Sequence, residues 1–126
     1  MPGGVVFRIE TDLYFLSAAI ARKVMPIPEI ARVPGGPPEL RGVALVDGDM
    51  IPVVDVSEAQ TLPTGPRAML VCNVLGESVG LVGIEILATG SFEPAELGRV
   101  KYEGAFAYEF EVASVFASVR EGRWAV

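Results

Sequence analysis

The chain has 126 residues, a net charge of −6 at pH 7, and 51% hydrophobic against 21% charged residues. That length suits one domain with a real core, since folding at this size removes roughly two-thirds of the unfolded surface from water, and the composition is far from that of disordered chains. The acidic balance argues against nucleic acid as partner, because phosphate contacts need clustered Lys and Arg.

In chain order, Val5-Val6-Phe7-Arg8-Ile9-Glu10 and Leu13-Tyr14-Phe15-Leu16 are β-branched and aromatic runs around Thr11-Asp12, the pattern of an opening hairpin. The apolar stretch that continues to Ala21 follows Glu10 and Asp12 rather than a basic leader, so no signal peptide is expected. Ser17 is placed to cap a helical turn through Ala21. Pro26, Pro28, Pro34, Pro37 and Pro38 then remove backbone donors and restrain their neighbours, which predicts an irregular, extended crossing.

Gly42-Val43-Ala44-Leu45-Val46 and Met50-Ile51-Pro52-Val53-Val54 flank Asp47-Gly48-Asp49, which predicts a β-hairpin with Gly48 at the tight turn. Asp55-Val56-Ser57-Glu58-Ala59 reads as the cap and first turn of a short helix. A second hairpin is predicted from residues 68–75 and 78–86, turning at Gly76-Glu77. Its first strand carries the chain's one cysteine, Cys72, in an apolar run; an internal disulfide is excluded, and a reducing, cytoplasmic setting is expected.

Residues 92–97 read as one helical turn. Residues 100–110 alternate like strand, and Val112, Val115, Phe116 and Val119 share one side of a closing helix. No apolar run approaches the roughly 18 residues of a membrane span, so direct insertion is not expected. Short strands with Gly and Pro turns indicate an all-β fold, a small barrel or sandwich. One domain over residues 1–126 is expected, in two lobes with the second beginning near 65.

Histidine is absent, which removes the commonest general base and the usual zinc ligand. Cys72 and the serines lack a His partner, and no Gly-Lys-Ser/Thr follows any glycine. Asp47-Gly48-Asp49 reads as a turn rather than a cation site. No catalytic residue, cofactor or metal is expected. An enzyme built on Asp47 and Asp55 would need both carboxylates to converge in an enclosed polar pocket. Basic Arg22-Lys23 and Arg41 stand against acidic Glu103, Glu109 and Glu111, and Trp124 is either an interface anchor or a cover for the core edge.

Over residues 22–56 the chain resembles the chemotaxis coupling-protein (CheW-like) family. In that family a Pro-rich crossing leads to a Lys/Arg-Gly-Val strand, as in Arg41-Gly42-Val43. An apolar strand, a Gly turn and Ile/Val-Pro-Val-Val-Asp-Leu follow, as in Ala44 to Val56. Weaker likeness extends back to Val5-Val6-Phe7-Arg8-Ile9 and forward to Val79-Gly80-Leu81-Val82. The resemblance implies two SH3-like barrels around a shared hydrophobic core, with short helical turns. It also implies a non-catalytic adaptor that joins a chemoreceptor's cytoplasmic tip to the regulatory domain of a CheA-type histidine kinase.

Carried over residue by residue, Gly42, Gly80 and Gly104 match small positions on the family's binding surfaces. By the same resemblance Ala21 and Val43 lie near the groove that accepts the receptor helix, with apolar neighbours such as Val46 and Ile51 as candidates. Two departures reverse charge at contact positions. Asp47 stands where the family's hairpin tip commonly has arginine, and Lys23 where a glutamate often ends the crossing strand. Such reversals fit either a partner of complementary charge or loss of the ordinary coupling role. In the second case the chain is an SH3-like module of another complex. The segment after Gly104 is short for the family, so a clipped or open second barrel is expected, with a bared edge able to pair with another copy.

Overall fold

The computed structural model describes residues 1–35, 38–57 and 68–119. Its strands are β1 (Gly3–Ile9), β2 (Asp12–Ser17), β3 (Ala21–Met25), β4 (Leu40–Val46), β5 (Asp49–Asp55), β6 (Met69–Val74), β7 (Glu77–Val82), β8 (Glu85–Ser91), β9 (Val100–Tyr102) and β10 (Ala105–Glu109), followed by helix α1 (Val112–Val119). They form two five-stranded sheets of order β8-β1-β2-β10-β9 and β3-β6-β7-β5-β4. The all-β expectation holds, and each sheet curls around a core of its own.

Alternation along the strands builds three cores. Val6, Phe15, Phe92, Val100 and Ala107 fill the first barrel, while Ala44, Val46, Ile51, Val53, Met69, Val71 and Val82 fill the second. Between the barrels, Val5, Phe7, Ile9 and Leu16 of the first sheet meet Leu40, Val54, Leu70, Cys72, Val79 and Leu81 of the second. Neighbours such as Val53 and Val54 therefore bury on opposite faces. Strands covered on both sides read as continuous apolar runs, as Met69-Leu70-Val71-Cys72 does. Each fully buried Leu or Phe contributes about 2 kcal/mol by leaving water.

The sheets do not divide the chain near residue 65. Strands β1 and β2 join β8, β9 and β10, and the second sheet takes the continuous middle of the chain, β3 to β7. The strand expected over residues 78–86 is broken by Gly83 into β7 and β8, one in each sheet. Nor is the first sheet open at β9. Lys101 N–H donates to Glu93 O at 2.9 Å, Ala95 N–H donates to Arg99 O at 2.8 Å, and Pro94 bridges Val100. The bared edge expected from the short final third is therefore paired by the chain's own residues 93–95.

Local chemistry explains smaller differences. The first hairpin turns at Glu10-Thr11. The turn after β2 is closed by Ile20 N–H donating to Ser17 O at 2.9 Å, and Ala21 already begins β3. Near residues 92–97 the helical element is only the short turn Glu96–Gly98. Residues 56 and 57 have no regular structure; Glu58 and Ala59, the rest of the expected helix, lie outside the described residues, as does Trp124. Among the described residues, no helix is long and apolar enough to cross a membrane.

Candidate partner-binding surface

Five of the seven residues singled out from the sequence fall on strands of the second sheet and Asp47 on its β4–β5 turn; Gly104 instead occupies the exposed β9–β10 turn of the first. Strands β3 and β4 are the two edges of that second sheet, and Lys23 and Asp47 join them. Lys23 Nζ lies 3.2 Å from Asp47 Oδ2 and 3.4 Å from Oδ1. The two residues singled out for their charge thus meet in a single ion pair, which helps to close the curled sheet. Lower on the same seam, Ala31 of the Pro-rich crossing exchanges two 2.8 Å backbone hydrogen bonds with Val43.

Gly42 makes that crossing possible. It is buried, and a Cβ there would overlap the carbonyl of Ala31. The backbone that approaches Gly42 is therefore the chain's own. Gly80 is buried as well, with Met69 Sδ 2.5 Å from where its Cβ would lie, and Ala21 belongs to the core between the barrels. Neither Ala21 nor Gly80 lies on an open surface. Their packing shapes the sheet from beneath.

Of the matched positions, Val43, Lys23 and Asp47 remain accessible on this sheet. Val43 pairs with Pro52 and Leu45 with Met50 across the β4–β5 hairpin. Leu45 is 63% and Met50 59% exposed, so this hairpin carries an apolar outer face beside the ion pair. Sequence reasoning pointed instead to their neighbours Val46 and Ile51, which are buried in the core of the second barrel, and missed Leu45 and Met50. Inside a hairpin they look like ordinary strand residues, and only the curl of the sheet decides which side is covered.

Behind this hairpin lies the buried carboxylate of Asp55, at the end of β5. Arg41 donates to its Oδ2 from Nη2 at 2.6 Å and Nε at 3.1 Å, while Ser57 donates to Oδ1 from its N–H at 2.9 Å and its hydroxyl at 2.6 Å. Both oxygens are occupied by fixed donors. A cavity of about 620 Å³ lies nearby, lined by Tyr14, Glu39, Val54, Asp55, Phe110 and Val115 among others. Asp47 is not among its lining residues, so the two carboxylates that a catalytic reading would need do not converge. Basic Arg41 is used by Asp55 rather than by Glu103, Glu109 or Glu111. Cys72 is buried, and desolvation pushes its thiol from 9.0 up to about 12, the setting of an inert structural thiol.

A family model described as CheW-like domain matches residues 3–114, a span that includes every strand of both barrels. The chain belongs to the CheW-like domain family. The crystal structure of the scaffolding protein TtCheW from Thermoanaerobacter tengcongensis is similar to it, with a TM-score of 0.66 and 22% sequence identity over 86% of this chain and 88% of that one. At that identity the likeness shows a shared fold, the CheW arrangement of two SH3-like barrels. No curated protein matches the chain.

Proposed function

We propose that the chain is a cytoplasmic, non-catalytic scaffold that couples the cytoplasmic tip of a chemoreceptor to the regulatory domain of a CheA-type histidine kinase. The observation that carries this reading is the CheW-like match across residues 3–114, which takes in both barrels and the core between them. An accessible β4–β5 face bearing Val43, Leu45 and Met50 beside a charged pair supports contact with proteins, because apolar side chains with a polar rim are the anatomy of such interfaces.

The test is a titration of the purified protein against the regulatory domain of its host's CheA-type kinase and, separately, against receptor tip fragments. Saturable binding to both is the expected result. Binding to neither would leave the fold standing and favour the other reading, an SH3-like module that serves a different complex.

A further inference from the structure

We propose that the cavity beside Asp55 is a binding site for a small organic monocation, an ammonium or guanidinium group carried on an apolar stem. The site does not depend on the scaffold reading above. It lies where the β1–β2 turn of the first sheet meets the end of β5 in the second. Its volume of about 620 Å³ falls within the range of small-molecule sites, roughly 300–1,000 Å³.

One wall is aromatic. Phe7 and Tyr14 stack with ring centroids 6.0 Å apart, and Phe110 stands edge-on to them at 5.5 and 5.4 Å. Phe7 is fully buried beneath, while Tyr14 and Phe110 are half-buried and line the cavity, with Val54 and Val115 continuing the apolar surface. Such a wall takes an apolar stem by burial and attracts a cation through the negative faces of its rings.

The charge at the opening has one sign. Glu10 and Asp12 reach the cavity from the β1–β2 turn and Glu39 from just before β4. Among the described residues none of these three is in an ion pair; Arg8, Lys23, Arg41 and Lys101 are engaged with Glu85, Asp47, Asp55 and Glu93. Asp55 itself is neutralised by Arg41 and hydrogen-bonded by Ser57, so it forms wall rather than ligand. No lysine or arginine is among the described lining residues.

Exposed carboxylates alone are an ordinary solvated surface. Here they border an aromatic wall, and one ligand class meets both. An anion is repelled by the rim, and a neutral apolar molecule leaves the rim unanswered. A bare metal ion is disfavoured as well, because among the described residues no three acidic side chains are grouped closely enough to hold one. An organic cation is large enough to touch the rings and carries the charge the carboxylates attract.

The experiment titrates the full chain with phenethylammonium and with its neutral isostere 2-phenylethanol, following backbone amide shifts by NMR and heat by calorimetry at low and high salt. Saturable binding of the amine is expected, with shifts centred on Tyr14 and Phe110, affinity about tenfold or more above that of the alcohol, and weakening as salt rises. The double variant Asp12→Asn with Glu39→Gln should lose about tenfold in amine affinity while its alcohol affinity and thermal midpoint stay at wild-type values. Equal affinity for amine and alcohol would overturn the proposal, as would shifts centred away from the cavity. So would a folded double variant that binds the amine like the wild type, or no sign of saturation up to about 10 mM amine.

Discussion

Gly83 and Asp55 claim the same space: a Cβ on Gly83 would overlap Oδ1 of Asp55, the oxygen that also accepts two hydrogen bonds from Ser57. Gly83 sits at the point where the chain leaves β7 in one sheet for β8 in the other, with φ at +81°. An alanine there meets left-handed strain and a carboxylate held in place by its donors. Gly83→Ala is expected to destabilise the protein by about 2–4 kcal/mol, read as a lowered midpoint in urea unfolding with an unchanged slope.

The ion pair of Arg41 with Asp55 is asymmetric. The Asp55 side chain is 1% exposed and that of Arg41 41%. Removing the arginine leaves a buried carboxylate with only Ser57 to compensate it, so Arg41→Ala should cost about 2–3 kcal/mol, well above an ordinary surface pair. Adding Asp55→Asn to Arg41→Ala removes the stranded charge and keeps an amide oxygen for Ser57. The double variant is therefore expected to be more stable than Arg41→Ala alone, and a double-mutant cycle by denaturant unfolding checks the order.

Gly42 and Gly80 separate internal packing from partner contact. At Gly42 the obstacle to a side chain is the backbone of Ala31, which cannot move without breaking the crossing from β4. At Gly80 it is the flexible thioether of Met69. Gly42→Ala is expected to cost about 2–4 kcal/mol and Gly80→Ala about 1–2 kcal/mol, because only the second obstacle can repack. Equal melting midpoints for both variants and the wild type would count against these contacts.

The elements most legible in the sequence were those governed by local chemistry. Asp47-Gly48 between two apolar runs identified the β4–β5 hairpin, and the spacing of Val112 and Val115 the closing helix. What stayed hidden depends on contacts distant along the chain. Residues 78–86 read as one strand because an apolar run carries no mark of the sheet it joins, and the φ of +81° and the Asp55 contact that make Gly83 a breaker belong to the fold. At the site, the sequence singled out Lys23 and Asp47 separately by their sign. Their pairing needed the curl that brings the edges of the second sheet together. Gly42 and Gly80 were recognised as positions of close approach, but the approaching groups belong to Ala31 and Met69.

Burial of Cys72 has a consequence for pH. Its thiol is raised from 9.0 to about 12 by desolvation, so in the alkaline range the unfolded chain releases this proton while the folded chain keeps it. Its contribution to stability is therefore fully present below 9.0 and is lost as pH rises toward about 12. Cys72→Ala would remove this slope at the expense of a small cavity. In the native protein at pH 8 the thiol is expected to resist alkylation by iodoacetamide, and in urea to react at the rate of a free cysteine, which mass spectrometry of quenched samples distinguishes.

Leu75 is 95% exposed and has φ at 53°, immediately before Gly76 at φ 83° in the β6–β7 turn. Two successive positive φ values define the hairpin turn that matches the twist of its strands, and its first position favours Asn, Asp or Gly. Asp47 before Gly48 meets this preference; Leu75 does not, since its Cβ crowds the following carbonyl and its side chain gains no burial. Leu75→Asn is expected to raise stability by about 0.5–1 kcal/mol, because asparagine enters the left-handed region more readily and leaves less apolar surface in water. Thermal unfolding of the variant should show a higher midpoint. A lower one would mean that the leucine is held by a contact which the turn geometry does not supply.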